Sequence, residues 1–595
     1  MKKLATFCLL IILGTNNACN NDFLEIGAIG TTSETTLATK AGVNGLLMGA
    51  YSLLDGWGVP GSTYYFVGVE NWIFGGVVSD DAHTGTEAGA LPPMTSVESY
   101  NYDASMLPFA QKWQVLYAGV QRANDVLRIL AKVTDGSINA EEEKQIRAEA
   151  TFLRGIYHLE AAKLWENIPF VDETVSYANG NVKVPNNVSA WPKIEADFAF
   201  AAANLTPTKS EVGRCNSWAA KAFLAKTYMF QDKYTEAKPL LEELIASGVT
   251  SSGAKYALVN FADNFNPIKK NGPESVFAVQ MSVNDASIYE HGNMGASLNF
   301  PMGGPATCCG AYQPSFSLVN SFKTDAATGL PLLDTFNNTD VTHDLGIESN
   351  APFTPYAGTL DARLDYTVGR RGIPYLDWGL HPGKSWIRQQ AVAGPYSPIK
   401  AIYYKADKAT TSYGNGRYTS NNYTMIRFAD ILLWAAEVEV EIGSLTEAQK
   451  YVNMVRARAA NTNGWAKKYI DNADPSKGYS TEPAANYKVG LYTTEFTAKG
   501  KDFAREAVRF ERKIEFAMEG HRFFDLRRWD NGTGYMANVL NAYIQHETTI
   551  AGYNFVYMNG AKFTKGKNEI YPIPQAQIDL SVVDGKSVLT QNPNY

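Results

Sequence analysis

The sequence predicts a mostly α-helical protein, in which degenerate tetratricopeptide-like helical pairs carry a large loop-rich region and a few short β-hairpins. Helical spacing of apolar residues dominates both halves of the chain. From about residue 250 to residue 425 this spacing fades, while Gly, Pro, Asn and aromatic residues become frequent. Long stretches of this kind in a compact protein usually carry function. Short β-like runs at 275–280 and 401–405 are predicted to form hairpins there.

The helical pairs are predicted from a spacing of small residues that occurs twice. In 219–247 and again in 429–459, an alanine in one predicted helix precedes an alanine in the next by twelve residues. Small residues at such positions let two antiparallel helices approach closely, as tetratricopeptide hairpins require. Because such arrays need about three units, we expect the helices within 113–165 to form a further, degenerate pair. The four alanines are Ala225 and Ala237 in the first copy, and Ala436 and Ala448 in the second.

Composition excludes several functional classes. The formal net charge is −7, the pI is about 5.7 and no long basic run is present, which argues against nucleic acid as a principal partner. Phosphate-binding, dinucleotide-binding, nucleophile-elbow and His-Glu-x-x-His motifs are absent from the sequence. No Cys/His spacing resembles a zinc site. We therefore expect a binding protein with no cofactor and no metal, although a glycoside hydrolase needs only two carboxylates and stays an alternative.

The N-terminus is predicted to be a signal peptide covering residues 1–18. Lys2 and Lys3 precede an apolar run from Leu4 to Leu13, which is too short to span a bilayer but fits the core of a secretory signal. Cys19 follows a small residue at the distance of a lipoprotein cleavage site, so it is predicted to become the lipidated first residue. An ordinary signal peptide with a chance cysteine is the alternative.

Beyond Cys8 and Cys19 three cysteines remain, too few for a disulfide framework. Cys308 and Cys309 are adjacent in a Gly/Pro-rich loop. Two free thiols are the more ordinary interpretation, and a strained vicinal disulfide is the alternative.

Charge is concentrated near the end of the chain. Glu511, Glu515 and Glu519 repeat every four residues and would share one face of a helix that is predicted to end at Gly520. Like charges at this spacing destabilise a helix unless cations neutralise them. Six arginines lie nearby in the sequence, so the segment is predicted to form an ion-pair network with its neighbours. These are Arg505, Arg509, Arg512, Arg522, Arg527 and Arg528.

This segment resembles the most characteristic motif of the SusD/RagB family, surface lipoproteins of Bacteroidetes that help to capture nutrients. The resemblance implies a helical scaffold of degenerate pairs, with an N-terminal helical part at 19–250 and a C-terminal part at 251–595 that holds the loop-rich ligand region. It also implies a lipid-anchored position at the outer membrane and a tail that packs back on the body. Other matching stretches are Asn20 to Glu25, Gly75 to Asp81, Asn568 to Gln575 and Gln591 to Tyr595.

Aromatic loops are the candidates for ligand recognition. The segment from Asp365 to Trp386 joins two arginines, two aspartates and several aromatic residues of the exposed type across tight turns. Aromatic rings cover the apolar face of a sugar, while Asp, Asn and Arg bind its hydroxyl edge. A structural ion pair and a core tryptophan are the alternative interpretation. The candidate ligand-binding residues are Trp72, Asp81, Tyr100, Tyr312, Arg370, Arg371, Tyr375, Asp377, Trp378 and Trp386.

A structural role is expected for three acidic residues, of which Asp81 is also a ligand-binding candidate. Glu70, Asp80 and Asp81 are predicted to cap turns or to pair with arginine rather than to act in catalysis. For Asp81 there are therefore two hypotheses, a ligand-binding role and a structural role.

The resemblance implies a cell-surface protein that binds an oligosaccharide and delivers it to a SusC-like TonB-dependent outer-membrane transporter, closing over the ligand as a lid does. Three alternatives stay open. The protein could be a peptide-binding member of the same family, a surface glycoside hydrolase, or a tetratricopeptide scaffold for protein partners.

Overall fold

The computed structural model describes residues 34–286 and 291–595. The expected signal peptide, Cys19 and the polar stretch after it lie outside the described residues. Within the described parts α-helices predominate, and strands occur only in short two-stranded sheets. The predicted fold class is therefore confirmed. The division at about residue 250 stays a prediction, and one continuous hydrophobic core contains residues from both sides of it.

The helices are given first, in chain order. They are α1 (Glu34–Leu37), α2 (Lys40–Ser52), α3 (Tyr64–Val67), α4 (Pro92–Glu98), α5 (Leu107–Leu130), α6 (Ala140–Trp165), α7 (Trp191–Asn204), α8 (Ser217–Met229), α9 (Tyr234–Ser247), α10 (Phe316–Ser321), α11 (Gln390–Ala393), α12 (Lys408–Thr411), α13 (Phe428–Ile442), α14 (Leu445–Ala460), α15 (Glu495–Lys499), α16 (Lys501–Glu515), α17 (Arg522–Asp530), α18 (Tyr535–Thr548) and α19 (Gln575–Leu580). None of the helices in the described residues is both long enough and apolar enough to cross a membrane.

Consecutive long helices pack side by side. Helix α5 lies against α6, α7 against α8, α8 against α9, and α13 against α14. Helix α9 also contacts α13, which joins the first set of helices to the second. The four alanines of the repeated spacing are all fully buried, so the close packing predicted from them is confirmed. The α5–α6 pair is the degenerate unit expected within 113–165.

Local sequence fixes where the longest helix begins and ends. The Asn139 side chain accepts hydrogen bonds from the N–H groups of Glu141 and Glu142, and the Glu142 carboxylate accepts one from the Asn139 N–H. This reciprocal arrangement satisfies the free donors of the first turn. Pro169, four residues after the last helical residue, prevents the helix from continuing.

The strands are short and form sheets of two. They are β1 (Ala82–Gly85), β2 (Ser275–Val279), β3 (Ala311–Pro314), β4 (Val368–Gly369), β5 (Ser397–Pro398), β6 (Ser412–Tyr413), β7 (Tyr418–Thr419), β8 (Tyr423–Arg427), β9 (Lys467–Tyr469), β10 (Tyr479–Pro483), β11 (Val582–Val583) and β12 (Lys586–Ser587). The antiparallel pairs are β1 with β3, β2 with β8, β4 with β5, β6 with β7, β9 with β10, and β11 with β12.

Both predicted hairpins need correction. The run at 275–280 does form a strand, but it pairs with β8, with Ser275 opposite Arg427, instead of with a neighbour in sequence. The run at 401–405 forms no strand, because its residues lead into a 3-10 turn at Lys405. Local propensity located one strand and could not show its distant partner.

The C-terminal segment closes the core over the first helices. Tyr571 and Ile573 are fully buried. The indole Nε1 of Trp165 donates to the Pro572 carbonyl, and the side chain of Asn592 donates to the carbonyl groups of Trp165 and Tyr571. A tail that packs back on the body is thus present.

The charged segment near residue 515 folds differently from expectation. Helix α16 ends at Glu515 instead of Gly520, and the aromatic, arginine-rich stretch after the turn is itself helix α17. The turn requires left-handed backbone at Met518 and Gly520. A Cβ at Gly520 would lie 2.0 Å from the Glu70 carbonyl oxygen. Only glycine permits this approach between the turn and the buried π-helical turn Trp72–Val77.

Candidate ligand-binding site

A buried ion-pair cluster holds the loop-rich region against helix α16. The Glu515 carboxylate contacts Arg363, Arg427 and Arg458 at 2.5–2.9 Å, and both Glu515 and Arg427 are at most 1% exposed. Glu519 accepts from Arg427 and from Lys400, at 3.0 and 2.6 Å. The opposing charges satisfy one another inside the core. Despite burial, the three arginines hold the pKa of Glu515 well below its usual range.

The predicted ion-pair network is confirmed, but its partners come from elsewhere. Glu511 pairs with Arg363 and Arg456, which lie in a distant loop and in helix α14. The arginines adjacent in sequence pair with other acids. Among these contacts, Arg512 meets Asp430 and Asp525, Arg522 meets Asp80, Arg527 meets Glu166, and Arg528 meets Glu437. The prediction that Asp80 pairs with arginine is therefore confirmed.

Arg370 and Arg371 are positioned by the protein itself. Arg370 forms a two-pronged ion pair with Asp365 at 2.6 and 2.9 Å and is 4% exposed. Arg371 donates to the carbonyl groups of Ser349 and Ala351. Both guanidinium groups are thus committed to internal contacts that stiffen the loop.

Tyr375 and Asp377 also face inward contacts. Tyr375 is fully buried, and its hydroxyl donates to the Pro398 carbonyl. The Asp377 carboxylate accepts from the N–H groups of Lys405 and Ala406 at 2.5 and 2.9 Å. A carboxylate that receives two backbone donors fixes the loop at 405 to the loop at 377.

Trp378 and Trp386 are half-buried, so part of each indole reaches solvent. Trp378 donates from Nε1 to the Tyr403 carbonyl, and the ammonium groups of Lys405 and Lys408 lie 6.0 and 5.8 Å from its ring centre. The ring of Trp386 meets that of Tyr375 edge-on at 5.5 Å. We call these two indoles, together with the small core beneath them, the aromatic wall; that core comprises Phe300, Ala306, Tyr375, Leu376, Ile399, Ile402 and Tyr403.

A glycine-rich loop lies beside Trp386. A Cβ at Gly304 would lie 2.4 Å from the Trp386 ring, so only glycine lets the loop cover the indole this closely. Met302 in the same loop is 40% exposed and donates its N–H to the Trp386 carbonyl.

The expectation of two free thiols is wrong here, because Cys308 and Cys309 are joined as a disulfide.

The N-terminal candidates form a separate group. Trp72 and Tyr312 are buried with ring centres 5.5 Å apart, and both line a cavity of about 80 Å³. The Tyr100 hydroxyl donates to the Val78 carbonyl. Asp81 accepts from the Met518 N–H, and burial together with the adjacent Asp80 raises the pKa of Asp81 to about 7. Trp72 and Tyr312 are therefore placed at a cavity, while Tyr100 and Asp81 make internal hydrogen bonds.

The cavity brings together residues that the sequence did not single out. Asn299, Lys400 and Asn421 line it, and they come from segments far apart in the chain. Glu70 lines it too, without the arginine partner or the cap that was expected. Both oxygens of its buried carboxylate lack a hydrogen-bond partner among the described residues. No local motif marks these residues, because the cavity exists only once the loops are folded together.

Comparison with known proteins identifies the family. The model of the SusD family matches residues 273–595, which is more than half of the chain. The chain belongs to the SusD family. A second family model, described as starch-binding and associating with the outer membrane, matches residues 86–229.

Curated and solved relatives agree with this placement. SusD-like protein P25 of Formosa agariphila is 24% identical to this SusD-family chain over 515 residues, which cover 83% of this chain and 84% of the relative. A SusD superfamily protein from Bacteroides vulgatus has 20% identity and a TM-score of 0.63, covering 95% of this chain and 99% of its own. Surface glycan-binding protein A from Bacteroides thetaiotaomicron, solved with laminarihexaose, has 20% identity and a TM-score of 0.58, covering 94% and 100%. These structures confirm the fold.

Proposed function

We propose that this SusD-family protein binds an oligosaccharide at the cell surface through the aromatic wall. The observation that carries the proposal is the pair of half-exposed indoles, Trp378 and Trp386, that pack on one rigid core. The comparisons support it, since one similar structure is described as a laminarin-binding SusD-like protein and another contains laminarihexaose.

The wall suits a sugar ring for physical reasons. The part of an indole that reaches solvent covers the C–H face of a pyranose, and the hydroxyl edge then meets polar groups around it. Because Arg370, Arg371, Tyr375 and Asp377 are fixed by internal hydrogen bonds, the two indoles lose little conformational freedom when a ligand binds. In this proposal those four residues position the wall, and Trp378 and Trp386 contact the ligand.

Replacing a wall tryptophan tests the proposal. We expect Trp378→Ala to weaken binding of the recognised glycan by about tenfold or more, since buried aromatic anchors commonly contribute about 2 kcal/mol. Calorimetry against laminarihexaose, maltohexaose and a panel of other glycans and peptides measures the change. Trp218→Ala is the control, because Trp218 is also half-buried, carries Lys221 4.6 Å from its ring and lies on scaffold helix α8.

Two results would contradict the proposal. Equal affinities for the Trp378→Ala protein and the wild type, with both folded, would remove the wall from the binding site. New reducing ends released from a panel glycan, and abolished by replacing one carboxylate, would show that the protein is an enzyme.

We further propose that Cys19 is lipidated at the outer membrane and that the protein delivers its ligand to a SusC-like TonB-dependent transporter. The second family description, which names association with the outer membrane, supports this location. Docking on such a transporter would enclose the ligand held at the wall.

Membrane attachment is tested by substitution of Cys19. We expect Cys19→Ala to move the protein from the membrane fraction to the soluble fraction, since the acyl chains would supply the membrane affinity. Cys8→Ala is the matched control, because it replaces a cysteine within the predicted signal sequence and keeps the acceptor. Fractionation followed by immunoblotting reports the result, and retention of the Cys19→Ala protein in the membrane would refute lipid anchoring.

A further inference from the structure

The cavity beside Trp72 contains polar atoms that have no partner in the part of the chain that the structure describes. These are both carboxylate oxygens of Glu70, the side-chain oxygen of Asn299 and the hydroxyl of Tyr312. The three residues are only 8%, 3% and 4% exposed. Burial raises the pKa values of Glu70 and Tyr312. The amide of Asn293 lowers that of Glu70 and the N–H of Gly520 lowers that of Tyr312, but neither group makes a well-formed hydrogen bond to these residues. Leaving such a group unsatisfied is destabilising, so water or a ligand must complete them.

The chemistry of these atoms specifies what can complete them. Carboxylate and amide oxygens only accept hydrogen bonds, so the missing partner must bring donors. The aromatic rings of Trp72, Tyr312 and the half-buried Tyr423 supply apolar walls. The indole Nε1 of Trp72 is already bonded to the Gly295 carbonyl, which fixes the ring. A ligand with several hydroxyl groups around an apolar ring meets both requirements.

The charges at the cavity select a neutral ligand. Lys400 and Arg427 on its lining both contact Glu519, at 2.6 and 3.0 Å. Two acids, Glu70 and Glu519, and two bases, Lys400 and Arg427, lie on the lining, so their formal charges balance. A neutral polyhydroxyl compound matches a lining with no excess of either charge.

A larger cavity adjoins the first. A second cavity, of about 230 Å³, shares four lining residues with the first and is otherwise lined mainly by amide and charged side chains. The inner cavity alone could hold several waters, at about 10–15 Å³ for each. Together the two reach the lower end of ligand-pocket sizes, about 300–1,000 Å³. The shared residues are Asn264, Asn421, Asn422 and Thr424.

We infer that this double cavity is a second saccharide site, separate from the aromatic wall, which takes one neutral sugar unit. The hydroxyls of the sugar bond to Glu70, Asn299 and the Tyr312 hydroxyl, its ring packs against the aromatic side chains of the lining, and the amide-lined outer cavity surrounds the next unit. The inference rests on the proposed function only in treating that unit as the end of the captured oligosaccharide.

Soaked crystals of the wild-type protein test the inference directly. Glucose, galactose, mannose and xylose are the probes, each at 100 mM on the scale of about millimolar affinity for a fragment. We expect ring-shaped density for at least one sugar, with hydroxyls within hydrogen-bond distance of Glu70 and Asn299. Density that fits only discrete waters in all four soaks overturns the inference.

A single-atom substitution tests it in solution. Tyr312→Phe removes the unpartnered hydroxyl and keeps the ring, so we expect about tenfold weaker binding of a panel glycan by calorimetry. Tyr256→Phe is the matched control, because the Tyr256 hydroxyl is also buried without a partner but lies at neither cavity. We expect the control to bind as the wild type does.

The outcomes separate this site from the wall. If Trp378→Ala weakens binding while Tyr312→Phe does not, and the soaks show only water, the second site is refuted and the proposed function is supported. If Tyr312→Phe weakens binding and a soaked sugar occupies the cavity while Trp378→Ala has no effect, the proposed binding at the aromatic wall is refuted and the second site is supported. If no panel glycan binds, the soaks alone decide.

Discussion

Replacing Arg427 with methionine is expected to lower the free energy of unfolding by about 3–5 kcal/mol, because it leaves buried carboxylates without their partner. Arg427 contacts Glu274, Glu515 and Glu519 and is 1% exposed. Methionine approximates the length of the side chain and removes its charge, so packing changes less than electrostatics. Guanidinium denaturation followed by tryptophan fluorescence measures the loss, and a greatly reduced yield of folded protein would be its extreme form.

Arg505→Met is the matched control for that experiment. Arg505 also contacts two acids, Glu441 and Asp502, but it is only half-buried and the Asp502 side chain is 98% exposed. We expect this substitution to cost less than about 1 kcal/mol. Equal losses for the two substitutions would show that burial of the Arg427 cluster contributes nothing special to stability.

The second large effect concerns His83, which is expected to make stability depend on pH. This buried ring contacts Glu547 at 2.8 Å and Glu98 at 3.2 Å, and the Tyr543 hydroxyl lies 3.0 Å from its Nδ1. Burial alone would lower its pKa, but the hydrogen bonds to the two carboxylates raise it to about 9. A raised histidine pKa stabilises the fold fully below the unfolded value and loses that effect as pH rises toward the folded value.

The measurement compares the wild type with His83→Gln across pH. Between pH 6.5 and 8, the stability difference between the two proteins should shrink by about 2 kcal/mol, since each pH unit corresponds to about 1.36 kcal/mol. Taking the difference cancels groups common to both proteins, such as the buried Lys112, Lys226 and Lys400, whose pKa values burial lowers to about 8. A difference that stays constant over this range would mean that His83 is not charged in the folded protein.

The helical framework could be predicted from the sequence because its signals are local. The twelve-residue spacing of Ala225 and Ala237 identifies a close helix pair without knowledge of any distant residue. The acidic repeat at Glu511 and Glu515 likewise predicts that cationic side chains pair with these carboxylates. The identity of those cations could not be predicted, since Arg427 and Arg363 lie 88 and 152 residues from Glu515.

The candidate site was less predictable for the same reason. In the non-periodic loop around residue 375, no repeat shows which side chains point inward, so fully buried Tyr375 and half-exposed Trp378 look alike in the sequence. Sequence located the loop that carries the wall. It could not locate the cavity at Glu70, whose lining is assembled from several distant segments.

The hydrogen bond between Trp165 and the C-terminal segment affects the order in which the protein can fold. Trp165 finishes an early helix, yet its indole hydrogen bond is made to Pro572, 407 residues later. Almost all of the polypeptide must therefore be synthesised before the C-terminal segment can pack on these first helices. Until then the Trp165 indole lacks the hydrogen-bond partner that it has in the folded protein. An affinity tag attached after Tyr595 would sit close to this last step of closure, so purification handles belong elsewhere.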